Sequence, residues 1–431
     1  MSDTRVFLTD EEKAILNGDH GVVPQKCMAY LVEEAEVSGA ENLVDLDGTG
    51  DFHTPMTSMS PYYEFTLDEL KELVDTGARF KIPTFANKSP FPLPSALHGW
   101  QGCGMHPHND AEYHEWALQK DFLDLYKKMG LMDSHSCASY LTASYWPTKG
   151  QHCAWNESSA VPYCNAILGA RTNIDGNFAT CFLGKAANYG MHLDEERYAT
   201  ALMCTERTIS TDMEWDVYGF AIGEYTGMNV PCLTGTNKPT TTQIMKLSSA
   251  LNTGGAVTMY HIPGTTPEAP TLEAAFNGRK PKEEILISEA ILRETYEKLN
   301  FHTSDDVDMV SLGCPHYNIV DLQRLAYKLE GKKLKARMWI MTAPWLYDVA
   351  TKLGYTKIFE NAGANLMSGT CPACMGGVAQ GTKVLAVDSA KQSYYITGCY
   401  PDDDNRLQVC YGTQDDCIEA AITGKWRGEW R

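Results

Sequence analysis

Four cysteines lie in stretches that read as loops: Cys137, Cys314, Cys371 and Cys374. Thiolate sulfur is the usual ligand of iron–sulfur clusters, which take three or four thiolates each. Four saturate a cluster and suit it to carrying electrons. Three leave one iron open, and an open metal site acts as a Lewis acid. The separations between positions 137, 314 and 371 are far longer than the compact cysteine runs of ferredoxins. Zinc is the other metal these residues could serve, but Cys371 and Cys374 form one CxxC with no second pair nearby. The other ten of the 14 cysteines read as small core or surface residues.

Polar side chains gather from Trp155 to Ala160, at Asn165, and from Gly169 to Asn173. Interleaved with small residues, they fit a surface that grips a carboxylate or phosphate, with Arg171 offering a bidentate fork. A capped helix followed by a turn would give the same string. His192 and His261 sit beside apolar residues, as core or capping histidines do, whereas His316 is two residues from Cys314. Lys391 places a cation at what reads as a helix start. The tract His106, His108, Asp110, Glu112, His114 has ligand types for a divalent ion, but its spacing mixes loop and helix register and reads as solvated. Gly-x-Gly-x-x-Gly, Walker A and Gly-x-Ser-x-Gly patterns are absent from the sequence. That argues against dinucleotide-dependent dehydrogenases, NTPases and serine hydrolases.

Such residues need a frame that brings distant loops together. Thr9-Asp10-Glu11-Glu12 reads as a helix start, with acids where the macrodipole favours them. A second helix is predicted from Phe65 to Val74, entered through Thr66. Leu118, Phe122, Leu125 and Tyr126 have helical spacing, ending at Gly130. Between these helices, Pro83 to Asp110 is a long Pro-, Gly- and His-rich excursion of the kind that forms lids. Ala256–Tyr260, Met309–Leu312 and Met338–Thr342 have strand character. A helical stretch, Asn318 to Gly331, separates the last two, and a helix from Pro344 to Leu353 follows. This β–α–β–α rhythm predicts parallel sheets with helices outside, and ligands beyond the carboxyl ends of the strands. Cys314-Pro315-His316 falls at such a strand end, and so does Gly369–Cys374, after the short segment Ala364 to Met367.

The 431 residues are 43% hydrophobic and 21% charged, the composition of a packed globular chain. A net charge of −19 argues against a nucleic-acid partner, while a few buried cations could still bind a small anion. The start of the chain has no basic and apolar leader, and no run approaches the ~20 apolar residues of a membrane span. A cytoplasmic protein with reduced cysteines and no membrane partner is expected. No repeat or clear linker divides the chain.

Six strings together resemble the aconitase X proteins, in the order found there: AWNESSAVPYCNAILGARTN (154–173), NYGMHLDEER (188–197), HIPGTTPEA (261–269), SLGCPH (311–316), GTC (369–371) and SAK (389–391). The resemblance runs from about Leu8 to the end. It implies the large subunit of an aconitase-superfamily hydro-lyase, occupying residues 1–431. The implied architecture is several packed α/β domains on mainly parallel sheets, without the small swivelling domain. That domain is expected as a separate partner subunit carrying a serine base, because the chain stops soon after Lys391.

The family's three cluster ligands map onto Cys137, Cys314 and Cys371, for a 4Fe–4S or 2Fe–2S cluster. The chain departs from the pattern at Cys374. That residue makes Cys314, Cys371 and Cys374 a rival triad, or all four a closed site. It also departs in the Pro83–Asp110 excursion, which looks longer than usual. Known activities of the family are dehydration of cis-3-hydroxy-L-proline and of mevalonate 5-phosphate. Within that reading, Lys391 and Arg171 hold the substrate anion, and Ser158, Ser159, Asn165, Thr172 and Asn173 hydrogen-bond it. His192, His261 or His316 protonates or positions the leaving oxygen, His316 being preferred as the catalytic one beside Lys391. The favoured substrate is cis-3-hydroxy-L-proline or a similar small anionic 3-hydroxy acid. The alternatives are mevalonate 5-phosphate, a non-catalytic iron–sulfur sensor or electron carrier, and a zinc-bound structural protein.

Overall fold

The computed structural model describes residues 5–53, 65–88, 110–142, 146–375, 377–400 and 406–431. Twelve strands occur among them: β1 Leu43–Asp45, β2 Gly50–Phe52, β3 Thr84–Ala86, β4 Lys185–Ala187, β5 Ala201–Thr205, β6 Pro231–Leu233, β7 Glu283–Ile287, β8 Met309–Tyr317, β9 Arg337–Thr342, β10 Ala364–Ser368, β11 Val384–Val387 and β12 Gln408–Tyr411. The C-terminal region is a five-stranded sheet in the order β10-β9-β8-β11-β12, with every pairing parallel. Apolar runs such as Met338-Trp339-Ile340-Met341 are buried along their length, as strands covered on both faces must be. The crossover helix Ile319–Leu329 turns Leu322, Leu325, Ala326 and Leu329 inward, the spacing of one helical face. Asn318 caps it by accepting from the N–H groups of Val320 and Asp321.

A middle region carries the parallel sheet β6-β5-β7 and the helices Asp212–Thr226 and Thr241–Gly255, each opened by a capping box. The two helices cross so closely that a Cβ on Gly255 would lie 1.9 Å from the Gly223 carbonyl oxygen. The N-terminal region has only three-residue strands, β1 with β4 antiparallel and β2 with β3 parallel. Its core is a separate cluster in which Phe52, Phe80, Tyr126 and Phe178 pack ring against ring.

Most predicted elements are present. Thr9 and Thr66 cap the helices Asp10–Leu16 and Leu67–Asp75 with full capping boxes. The helix read from Leu118 begins earlier, spanning Asp110–Lys128. The strand expected over Ala256–Tyr260 is not one. Ala256 takes a left-handed conformation (φ 57°) that ends the preceding helix. The Thr258 carbonyl then accepts from the Asn165 side chain rather than from a strand. The excursion falls largely within 89–109, outside the described residues, as do His106 and His108. Asp110, Glu112 and His114 fall in the helix Asp110–Lys128. Among the described residues no helix is long and apolar enough to cross a membrane.

Candidate active site

A cavity of about 540 Å³ lies where the carboxyl edge of the five-stranded sheet faces the N-terminal region. Three strands of this sheet deliver residues to it: Cys314 near the end of β8, Cys371 beyond β10 and Lys391 beyond β11. This is where parallel sheets place ligands. The backbone is tight at the first of these. Gly313 has φ 92°, and a Cβ there would lie 2.3 Å from the Met341 carbonyl oxygen. Cys137 enters from the facing wall, after the Phe85–Met132 bridge, and Cys374 and Cys27 line the same cavity.

His316 ties the three thiol-bearing loops together. Its ring Nδ1 lies 3.1 Å from the Ser136 hydroxyl, and its Nε2 lies 3.1 Å from the Thr370 carbonyl oxygen. Its backbone N–H donates to the Cys137 sulfur at 3.3 Å. A carbonyl can only accept, so Nε2 carries the hydrogen and Nδ1 accepts from Ser136. Burial pushes the ring down to about 4, so it is neutral near pH 7. Both ring nitrogens are thus engaged with protein, and His316 is not among the cavity-lining residues.

Charge in the cavity centres on Glu157, which is buried. Its carboxylate accepts from Lys391 Nζ at 2.7 Å and from the Ser159 hydroxyl at 3.0 Å, and it pairs with Lys88. Burial opposes its charge, but Lys391, Lys88 and His53 outweigh it and hold the carboxyl well below the usual range. Lys391 also donates to the Ser158 hydroxyl at 2.8 Å. Lys88 is raised well above the lysine range: burial works against the charge, but Cys374, Glu157, Cys371 and Cys137 prevail. Burial, with Lys88 adding, pushes His53 down to about 4.

The thiols differ among themselves. A hydrogen bond from Cys374 brings Cys371 down to about 6 against burial, with help from Lys88. Burial pushes Cys314 up to about 12 and Cys137 higher still. Among the described residues no group of three His, Cys, Asp or Glu is gathered tightly enough to hold a single metal ion. The sulfurs are instead spread around the cavity within electrostatic reach of one another. Their chemistry fits an iron–sulfur cluster: Cys371 is already disposed to ionise, and bound iron would deprotonate Cys137 and Cys314, which burial otherwise keeps neutral.

Of the residues singled out from the sequence, Cys137, Cys314, Cys371, Lys391, Ser158 and Ser159 line the cavity, while Asn165, Arg171, Thr172, Asn173, His192, His261 and His316 do not. Asn165 donates to the Thr172 and Thr258 carbonyls, and the Asn173 side chain donates to Tyr189 and accepts from Met191. Arg171 pairs with Asp194 and donates to the His192 carbonyl. His261 Nε2 lies 2.8 Å from the Arg197 carbonyl oxygen. The polar string therefore divides: Glu157, Ser158 and Ser159 face the cavity, while Asn165, Thr172 and Asn173 are buried, hydrogen-bonded scaffold behind the wall.

Sequence reasoning missed Lys88, Glu157, His53 and Asp51. Glu157 stood inside the string already noted, but nothing in spacing marks a carboxylate that will be buried between two lysines. Asp51 accepts from Ser139 at 2.8 Å and from the Asn156 N–H at 2.6 Å. It links the Cys137 turn to the loop that carries Glu157, a junction made between residues some hundred positions apart.

Known proteins extend this geometry. The Aconitase X first, second and third domain models match residues 5–195, 197–297 and 307–423. The fold is similar to the crystal structure of Thermococcus kodakaraensis aconitase X in its holo form. The TM-score is 0.76 at 28% identity, over 94% of this chain and 97% of that one. The chain is 32% identical to the phosphomevalonate dehydratase large subunit of Methanothermobacter thermautotrophicus, over 91% of this chain and 94% of that protein. It is 29% identical to the cis-3-hydroxy-L-proline dehydratase of Pseudomonas aeruginosa, over 96% of this chain and 70% of that protein. Likeness to dehydratases on this scale defines the class: the chain is a hydro-lyase. Within that class it belongs to the aconitase X family.

Proposed function

We propose that this chain is the large subunit of an iron–sulfur-dependent dehydratase acting on a small 3-hydroxy acid, with cis-3-hydroxy-L-proline as the favoured substrate. The observation that carries the reading is the convergence of Cys137, Cys314 and Cys371 on one cavity that also holds Lys391 and Glu157. Those three thiols would hold the cluster, which when bound supplies Lewis acidity to a departing hydroxyl. Glu157 and Ser158 fix the Lys391 ammonium, leaving it one further donor for the substrate carboxylate. Lys88 faces the thiol wall and offsets its negative charge. His316, held on both sides, positions the cysteine loops. A small partner subunit brings the base that removes the proton alpha to the carboxylate.

The cations lining the cavity are Lys26, Lys88 and Lys391, and each already faces a carboxylate, Glu69 for the first and Glu157 for the others. Among the described residues no arginine lines it. An amino acid suits this balance, because Asp175 and Glu157 can face its ammonium. Mevalonate 5-phosphate is the second reading, favoured by the 29–32% identity to several phosphomevalonate dehydratase large subunits along nearly their whole length. It would need the partner subunit to supply cations for its phosphate. The test is anaerobic assembly of the chain with its small partner, iron and sulfide, followed by assay of both acids. Turnover of cis-3-hydroxy-L-proline with Cys314→Ser inactive is expected. A Cys314→Ser complex with full iron content and full turnover would overturn the reading.

A further inference from the structure

We propose that Asp175, His192 and His152 form a proton relay between the cavity and solvent, an inference that rests on the dehydratase reading and deepens it. Asp175 lines the cavity. Its Oδ2 lies 3.0 Å from His192 Nε2, and His192 Nδ1 lies 2.9 Å from Nδ1 of His152. The imidazoles are stacked, with centroids 5.1 Å apart and planes 22° from parallel. His192 is buried and His152 is half-buried, so the chain runs from the cavity wall outward. Each ring has one nitrogen to accept and one to donate. A carboxylate accepts, so His192 donates from Nε2, and its Nδ1 accepts from His152. A proton entering at His152 can then pass to His192 Nδ1 as the Nε2 proton passes to Asp175.

The surroundings hold this geometry. The Thr172 hydroxyl donates to Asp175 Oδ1 at 3.1 Å. Arg171 holds the His192 carbonyl at 2.8 Å, and Arg197 the neighbouring Met191 carbonyl at 2.9 Å. Asp47 accepts from the His152 backbone N–H at 2.8 Å. Burial, His192 and Arg171 push His152 down to about 4, which leaves it neutral and able both to accept and to donate. Glu34 and Tyr189 face Asp175, and burial together with Asp175 raises Glu34 to about 8. A proton can therefore be stored beside the inner end.

The chemistry calls for such a path. Dehydration breaks one C–H and one C–O bond and forms a C=C bond and one water. The proton from carbon goes to the base, and the leaving hydroxyl takes a proton from an acid. No net proton is consumed, but base and acid return to their starting states only when the base's proton passes on, directly to the acid or by exchange with solvent. A cavity closed by a second subunit needs a route through protein for that.

His152 lies off the cavity, which makes it the residue to test. In the assembled enzyme, His152→Ala should lower kcat about ten-fold in dilute buffer with KM unchanged, and added imidazole should restore it. That loss is smaller than the ~10²–10⁴-fold contributed by a group that transfers the proton in the transition state. A kcat equal to the parent's at every imidazole concentration would overturn the relay while leaving the dehydratase reading intact. A second measurement needs no substrate. In histidine-¹⁵N-labelled chain, His152→Phe keeps a ring against His192 but removes its nitrogens. Exchange of the His192 ring proton with solvent should slow about ten-fold; an unchanged rate refutes the relay even if neither acid is turned over.

Discussion

The two walls of the cavity are built on opposite principles. The sheet wall carries Cys314, Cys371 and Lys391 at the carboxyl ends of strands of one parallel sheet, β8, β10 and β11, where backbone ladders and buried crossover helices set the positions. The facing wall carries Lys88, Cys137, Glu157 and Asp175 on loops between three-residue strands. Side chains such as Asp51 hold those loops, bonded to Ser139 and Asn156. A rigid wall suits residues that must keep a fixed geometry. A wall held by side-chain bonds can change without disturbing the sheet.

The largest effect that sharpens this contrast comes from the thiols. Cys314→Ser and Cys137→Ser should each abolish iron retention and turnover, exceeding the ~10–100-fold loss typical of removing an outer-shell partner of a metal. Cys374→Ser should keep both, because Cys374 serves Cys371 as a hydrogen-bond donor. Iron and sulfide analysis of the three anaerobic proteins decides it, and loss of iron from Cys374→Ser with retention in Cys137→Ser would move the site wholly onto the sheet wall. Next is Gly313→Ala. With φ 92° and a new Cβ 2.3 Å from the Met341 carbonyl oxygen, it should cost ~3 kcal/mol, read by chemical denaturation. A change of under ~0.5 kcal/mol would mean that the sheet wall is not rigid there.

How much of this was legible follows the same division. Strands β8, β9 and β10 and their helices could be read because apolar runs, caps and glycines all point to one local answer. The position of Cys314 and Cys371 at strand ends then followed from sheet topology. The facing wall could not be read. Strands of three residues carry too little pattern, and β1 pairs with β4 across more than a hundred residues. Arg171, conspicuous as an anion fork, is occupied by Asp194 and the His192 carbonyl. Lys88 is marked only by its burial, which sequence does not display.

His316 joins the walls and offers a smaller test. Its contacts to Ser136, Cys137 and Thr370 make it a positioning residue for the thiol loops. His316→Ala should weaken iron retention by ~10-fold, while His316→Gln, which can still bond on one side, should recover part of it. If His316 instead acts on substrate, iron content would be unchanged in both variants and only kcat would fall.

The smallest effect compares two carboxyls whose surroundings push them opposite ways. Burial raises Asp51, on the facing wall, to about 6, against the bonds from Asn156 and Ser139. Glu214, in the middle region, falls to about 2, because Arg207 and the Thr211 and Ser210 N–H groups outweigh its burial. A raised carboxyl stabilises the fold fully below its unfolded value, and that contribution is lost as pH rises through 6. A lowered one stabilises above its unfolded value and is lost as pH falls towards 2. From pH 7 to 5 the Asp51 contribution should therefore add about 1 kcal/mol to stability, and below about pH 4 the loss at Glu214 should begin to reverse it. Burial also raises Asp216 and Asp321 to about 6, so Asp51→Asn should shrink the gain between pH 7 and 5 by about 1 kcal/mol, keep the share of the other two and leave the acid limb in place. Urea midpoints across pH 3–8 would show this, and an equal gain in parent and Asp51→Asn would place the Asp51 carboxyl in contact with water rather than inside the wall.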